Sequence, residues 1–252
     1  MKPLYLAESF LSIQGEGKYV GAPSIFLRFG GCNLTCKGFG CEFIHNGSKL
    51  TGCDSLFAVY EKYFKQDWQI FNAEELFEKV LLHAKDLPYK PHIVITGGEP
   101  LMHYKNHDFY RLLRLLENFF VFVETNATIL VDFDTFKEYK NISFCMSVKL
   151  SNSGEKYAKR VNKKAIEAIC KNAKETFFKF VLSEQMIKES AIKEEIEDIT
   201  KGHNVPIFCM PLGRNREELD KNSESVISFC IKNGYNYTDR IHIRLWNDKR
   251  GV

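Results

Sequence analysis

The chain reads as an α/β protein built on a parallel sheet with its helices outside. Three observations predict this. Short apolar runs alternate with helix-period segments, the pattern of repeated strand–helix–strand units. Several runs end in polar or glycine-rich turns, such as G-G-E-P after residue 96 and E-T-N after residue 123. Finally, 252 residues with 44% hydrophobic and 13% aromatic content suit one large domain, and no linker, repeat or low-complexity tract divides them. Six or seven such strands make either an open doubly wound sheet or an incomplete barrel. In both, the site lies beyond the C-terminal strand ends.

Taken in order, residues 8–20 contain S-I-Q-G-E-G and read as a glycine-punctuated loop. Residues 24–29 (S-I-F-L-R-F) are a strand with one arginine, Arg28, in an apolar run. Residues 30–55 are too polar and glycine-rich to be regular throughout. A helix starts at residue 73, because Asn72 and Glu75 can form a capping box and Ala73, Leu76, Phe77, Val80, Leu81 and Ala84 make one stripe. Strands follow over 92–96, 120–124, 142–147, 176–182, 206–210 and 240–245. Helices are expected between them over 109–119, 132–139, 162–171, 187–199 and 224–232. This order brings the strand ends at 97–98, 124–126, 147–149 and 210–212, with the segment after residue 29, to one cleft.

The net charge of +3, from 35 basic and 32 acidic residues, is too balanced for nucleic acid as the main partner. No run approaches the ~20 apolar residues of a membrane span, and the N-terminus has no signal-peptide core. The expected address is cytoplasmic, where thiols stay reduced. Cys145, Cys170, Cys209 and Cys230 are scattered and read as small core residues. The other four, Cys32, Cys36, Cys41 and Cys53, fall within 22 residues, which suits a soft metal or an iron–sulfur cluster. On the cysteines alone, a structural protein with a zinc ion held by all four thiolates is the alternative.

Cys32-x3-Cys36 after Gly31, followed by I-T-G-G-E-P, resembles the radical S-adenosylmethionine (SAM) superfamily. The fuller set F-L-S-I-Q-G-E-G, R-F-G-G-C-N-L-T-C, C-D-S, N-A-E-E-L, I-T-G-G-E-P-L, V-E-T-N and L-W-N-D-K-R-G-V is similar to the 7-carboxy-7-deazaguanine synthase family, over about residues 8–252. The resemblance implies a single radical SAM domain, a partial (incomplete) β/α barrel, acting as a homodimer. The implied reaction converts 6-carboxy-5,6,7,8-tetrahydropterin to 7-carboxy-7-deazaguanine with loss of ammonia, in queuosine biosynthesis. It brings a 4Fe–4S cluster, SAM as a regenerated radical initiator, Mg²⁺, and an electron donor of flavodoxin or ferredoxin type. Because the radical is generated on SAM, no side chain is assigned as catalytic. A radical SAM activase acting on a protein partner would share the cysteines and G-G-E-P, but gives no reason for S-I-Q-G-E-G with Arg28.

Carried over residue by residue, the family order C-x3-C-x2-C-D-T/S is met by Cys32 and Cys36 and resumes at Cys53-Asp54-Ser55. The resemblance therefore assigns Cys32, Cys36 and Cys53 to the cluster. Residues 37–52 then contain an insertion carrying Cys41, unless Cys41 replaces one of the three. Ser55 stands at the Mg²⁺ position, and a hydroxyl is a suitable hard ligand. Gly52 and Asp54 lie beside the cluster. Gly98 and Glu99 belong to the segment that holds the SAM amine by backbone contact, and Glu124, Asn126, Ser147 and Lys149 line the rest of the SAM site. Asn126-Ala127 and Ser147-Val148-Lys149 depart from the family's Asn-Gly and Ser-Pro-Lys. Ile13, Gln14, Gly15 and Glu16 face the pterin edge, and Thr96 its ring. Arg28 either binds the substrate carboxylate or makes a structural ion pair. His242 either reaches substrate or is a satisfied core histidine. The terminal carboxylate of Val252 approaches the site.

Overall fold

The computed structural model of the protein describes residues 3–189, 191–247, 249 and 251. Strands β1 (Leu4–Ile13) and β2 (Pro23–Phe29) form an antiparallel hairpin. A separate small hairpin, β3 (Cys41–His45) and β4 (Ser48–Gly52), follows. Next come α1 (Glu61–Phe64), β5 (Gln69–Phe71) and α2 (Ala73–Ala84). Strand–helix alternation then takes over with β6 (His92–Gly97), α3 (His107–Leu115), β7 (Val121–Thr125), β8 (Ser143–Met146), α4 (Tyr157–Arg160), α5 (Lys163–Asn172) and β9 (Glu175–Leu182). The chain ends through α6 (Glu184–Lys188), α7 (Ala191–Thr200), β10 (Ile207–Pro211), α8 (Arg216–Asn233), β11 (Asn236–Tyr237) and α9 (Ile241–Trp246).

The main sheet has the order β11-β10-β9-β8-β7-β6-β2-β1-β5. Every neighbouring pair from β2 to β11 is parallel, while β1 and β5 add an antiparallel edge. The sheet does not close on itself, so β5 and β11 remain its edges. This is an incomplete barrel with one antiparallel flank that the purely parallel expectation lacked.

Both faces of the parallel strands are buried, which is why they read as unbroken apolar runs rather than alternating ones. Ile25, Leu27, Ile93, Ile95, Val123, Phe144, Phe178 and Phe180 pack beneath Leu76 and Val80 of α2, Leu112 of α3, Ile166 of α5, Ile196 of α7 and Val226 of α8. Fully burying one such side chain is worth about 1.5–3 kcal/mol, so this layer dominates the fold's stability. Phe26, Val94, Phe122, Cys145 and Phe177 form a second cluster on the other face. Tyr19, from the loop after β1, inserts among Phe120, Phe122 and Phe177, and its hydroxyl donates to Glu175.

The α2 start matches its expectation: Glu75 N–H donates to Asn72 Oδ1 at 2.9 Å and Asn72 N–H to Glu75 Oε2 at 2.8 Å. Leu81, counted in its stripe, is 45% exposed. Three expectations are corrected. Residues 8–13 are strand, not loop; their alternation with polar residues reflects an edge region covered only in part. Residues 132–139 form a turn in which Asp132 accepts from the Asp134 and Thr135 amides, followed by a short 3₁₀ turn over Lys137–Asn141. Residues 240–245 are helical, because a short alternating run also fits two helical turns when Arg240 is anchored inward.

Candidate functional site

The site is built by a change of chemistry along each strand. Side chains two residues apart share a face. The buried layer Phe26, Val94, Phe122, Cys145, Phe177 is therefore followed, toward the strand ends, by Arg28, Thr96, Glu124, Ser147 and Lys179. These five line a cleft of about 790 Å³, together with Ile13, Gln14, Gly15, Glu16, Asn126, Lys149, Arg240 and His242.

Across its floor runs a chain of alternating charge. Thr96 Oγ1 donates to Glu124 Oε2 at 3.1 Å, and Gln14 Nε2 to Glu124 Oε1 at 3.4 Å. Lys179 Nζ bridges Glu124 Oε1 at 3.1 Å and Glu16 Oε2 at 2.7 Å. Arg240 carries the chain on, from Nε to Glu16 Oε1 at 2.8 Å and from Nη2 to Asp54 Oδ2 at 2.7 Å, while Nη1 donates to the Gly213 carbonyl. Burial alone would raise the Glu16 carboxyl, but Lys179, Arg240 and His242 outweigh it and hold Glu16 well below the usual carboxylate range. Burial works against the charge on Lys179 too, and the negative groups around it, Glu124 and Glu16 among them, keep it well above its ordinary value. His242 is lowered, chiefly by burial, with Arg240 and Lys179 adding to it and Glu16 and Asp54 opposing it. Its ring lies over Gly15, where a Cβ would sit 1.9 Å from Nδ1. Only glycine fits there.

Arg28 pairs with Glu8 across the β1–β2 register, Nε to Oε1 at 2.7 Å, while still lining the cleft. The ion-pair reading of Arg28 is thus seen, and of the guanidinium's five donors this contact uses one.

The cysteines stand at the other side of the cleft, and all four line it. Their surroundings differ. Lys149 acts on Cys32, Cys36 and Cys53 alike, and Cys36 repels negative charge on both of the others. Cys41 shares Asp54 with Cys36 and Cys53 but otherwise faces Arg214, Arg240 and Glu218 in place of Lys149. Burial, the leading cause in each case, raises all four thiols, Cys32 to about 12 and Cys41 to about 11. A group that binds thiolates must therefore displace these protons itself, as a metal centre does. Among the described residues no three His, Cys, Asp or Glu side chains converge on a single-ion position. A tetrahedral zinc ion needs its thiolates around one point, whereas a cluster needs them spread over separate irons. Leu34 N–H points at Cys32 Sγ at 3.4 Å and Asn126 Nδ2 at 4.0 Å, the kind of donors that tune cluster sulfurs. The donor set fits a cluster held by Cys32, Cys36 and Cys53 and open toward the cleft.

Backbone geometry shapes this loop. Cys36 sits in the left-handed region, φ 48°. Within residues 37–52, the segment expected to hold an insertion, the chain forms the β3–β4 hairpin, in which Cys41 pairs with Gly52. Gly97 and Gly98 hold the loop's start: Gly98 N–H donates to Phe29 O at 3.1 Å and Glu99 N–H to Gly31 O at 2.8 Å. A Cβ on Gly97 would lie 2.1 Å from Phe29 O, and one on Gly98 2.2 Å from Gly31 O. Ala127, at one of the two departures from the resemblance, takes a left-handed position at φ 58°, which costs a residue with a Cβ about 1–2 kcal/mol.

The remaining expected residues divide. Ser147 and Lys149 line the cleft and meet, Nζ to Oγ at 3.3 Å. Ser55 also lines it, its hydroxyl 3.3 Å from Asp54 Oδ1, so two hard oxygens are available to a cation. Glu99 and Gly52 do not line it. The Glu99 carboxylate is fully buried and accepts from Leu101 N–H, Thr125 Oγ1 and Asn126 N–H, while its backbone N–H donates to Gly31 O and its carbonyl accepts from Met102 N–H, so Glu99 shapes the turn from within rather than facing the cleft. A Cβ on Gly52 would meet Leu56 and Thr35. Val252 lies outside the described residues. Lys179 and Arg240 are the polar residues that sequence reasoning missed. Lys179 carried a usable signal, a single lysine in T-F-F-K-F-V-L, the same signal that singled out Arg28.

The family model of the Radical SAM superfamily matches residues 27–201. The 7-carboxy-7-deazaguanine synthase of Clostridium acetobutylicum is 30% identical over 254 residues, covering 98% of both chains. That of Halobacterium salinarum is 29% identical over 260 residues, 97% of this chain and 91% of the relative. Among solved structures, QueE from Escherichia coli has a TM-score of 0.61 at 23% identity, covering 94% of this chain and 93% of that one, a likeness of fold. The chain belongs to the radical SAM superfamily and, within it, to the 7-carboxy-7-deazaguanine synthase family.

Proposed function

We propose that this chain is a radical SAM lyase that converts 6-carboxy-5,6,7,8-tetrahydropterin to 7-carboxy-7-deazaguanine with loss of ammonia, in queuosine biosynthesis. The observation that carries it is the pairing, in one cleft, of three thiols with a polar floor suited to a pterin. Similarity over nearly the whole of both chains supports the same reading. The superfamily's cofactors are a 4Fe–4S cluster and SAM; bound, they supply the one-electron chemistry that begins hydrogen abstraction. Cys32, Cys36 and Cys53 would hold the cluster, and Ser55 a Mg²⁺ ion. Gly52 and Asp54 would flank the cluster, and the Gly98–Glu99 segment with Asn126, Ser147 and Lys149 would receive SAM, while Glu124 would offer acceptors to both SAM and the substrate.

The rest is done by the chain's own groups. Ile13, Gln14, Gly15, Glu16 and Thr96 set the pterin plane and its hydrogen-bonding edge, and Arg28 offers its remaining donors to the substrate carboxylate. The apolar layer beneath, Phe26, Val94, Phe122 and Phe177, keeps water from the reacting face. His242, against Gly15, can take a proton from the substrate and return it, and the Glu16 carboxylate 3.9 Å away balances the charge it gains meanwhile.

The reading extends to a single domain over residues 1–252, a homodimer, a cytoplasmic address and a flavodoxin- or ferredoxin-type electron donor. Neither nucleic acid nor a membrane is a partner in it; among the described residues no helix is long and apolar enough to cross a membrane. The test is anaerobic reconstitution followed by incubation with SAM, Mg²⁺, a reductant and the carboxytetrahydropterin. Mass spectrometry should detect 7-carboxy-7-deazaguanine and ammonia release. Absence of product from a cluster-loaded protein refutes the assignment.

A further inference from the structure

We infer that Lys179 is a positioning residue that makes the cleft select a 2-amino over a 2-oxo pteridine; this rests on the pterin reading above. Lys179 is buried on β9, between the apolar layer and the cleft, and among the described residues it donates to side-chain carboxylates and to no backbone acceptor. Its two partners are the carboxylates of Glu16 and Glu124, which come from the loop after β1 and the end of β7. No other cation is paired with Glu124 among the described residues.

Acceptor arithmetic shows what this arrangement leaves for a ligand. A carboxylate offers about four lone-pair positions. Glu16 accepts from Lys179 and Arg240, and Glu124 from Lys179, Gln14 and Thr96. Each carboxylate retains acceptor capacity beside the ammonium that the two share. The floor on either side of Lys179 therefore accepts hydrogen bonds. A 2-aminopyrimidinone ring carries two adjacent donors, the ring N–H and the exocyclic amine. A 2-oxo ring replaces the second with an acceptor, which would face a carboxylate oxygen. Without Lys179, two carboxylates would share a buried site with one compensating charge removed, and one of them would be driven to take up a proton. That carboxyl could then donate to a 2-oxo group. The selectivity arises from the lysine, although the lysine need not touch the discriminated atom.

The experiment compares binding of pterin-6-carboxylate and lumazine-6-carboxylate, which differ at position 2, to the reconstituted protein with SAM. Wild type should prefer the pterin by roughly 100-fold or more. In Lys179→Met the preference should fall to within roughly ten-fold, mainly through tighter lumazine binding, and Lys179→Arg should restore most of it. Retention of the full preference by Lys179→Met overturns the inference. Infrared difference spectra of the wild type give a reading that does not depend on that variant's folding. Pterin-6-carboxylate should perturb ionised carboxylate bands of Glu16 and Glu124, identified with Glu16→Gln and Glu124→Gln, and a protonated carboxyl band from either would overturn it. If wild type binds neither compound and forms no product, the pterin reading itself fails; selective wild-type binding with an unaffected Lys179→Met fails this inference alone.

Discussion

The carboxylate of Glu155 accepts the Thr35 backbone N–H at 2.6 Å, and this bond ties the cysteine loop to the turn after β8. The same oxygen takes the Thr35 hydroxyl at 2.8 Å and the Cys36 N–H at 3.1 Å. Glu155→Ala leaves three donors without their acceptor, and should cost about 1–3 kcal/mol. Denaturant unfolding of the iron-free protein should show the loss, and the reconstituted variant should release iron faster. An unchanged midpoint would rule out this anchoring role.

The thiol surroundings separate Cys41 from the other three. Alanine at Cys32, Cys36 or Cys53 should abolish reconstitution of the brown, iron-loaded protein. Cys41→Ala should keep its iron. Iron analysis and visible absorbance after anaerobic reconstitution decide this, and the reverse outcome at Cys41 and Cys53 would exchange their roles.

Glu99 gives a pH dependence. Burial raises its carboxyl from 4.5 to about 6, against the opposing amides of Asn126 and Leu101 and the Thr125 hydroxyl. The folded state thus holds this proton more tightly than the unfolded chain. Its contribution is complete below the unfolded value and is lost as pH rises through about 6. The size is about 2 kcal/mol. Measured by unfolding, the stability of wild type relative to Glu99→Gln should fall by that amount between pH 4.5 and neutrality. A difference independent of pH would refute it.

Ser55 and Asp54, next to Cys53 in the chain, bring two hard oxygens to the cleft. Ser55→Ala should raise the Mg²⁺ concentration for half-maximal turnover about 10-fold while leaving iron content unchanged. An unaltered Mg²⁺ titration would remove Ser55 from the metal site.

Much of the site was readable because its residues break the local rule of their segment. Arg28 interrupts an apolar strand, Gly97-Gly98 ends one, and Glu124 follows F-V-F-V. Lys179 broke the rule just as plainly, but its partners Glu16 and Glu124 are 163 and 55 residues away, and only the fold reveals that they meet. The antiparallel edge was hidden for a different reason. β1 is only partly covered, so L-Y-L-A-E-S-F-L-S-I mixes polar and apolar residues and loses the signature of its buried neighbours. At residues 240–245 the short run R-I-H-I-R-L satisfies two periods at once, and the anchoring of Arg240 between Glu16 and Asp54 decides for helix.

The β3–β4 hairpin turns at Asn46-Gly47, both with positive φ, and its base is closed by Cys41 opposite Gly52. Antiparallel rungs are added or removed in pairs, so the ribbon can grow or shrink at its tip while its two feet stay fixed. The number of residues between Cys36 and Cys53 is then a free length rather than a measure of distance. A chain lacking the outer rungs, with a new tight turn, would present the same thiols to the same cleft, and cysteine spacing alone is a poor ruler for finding such a centre.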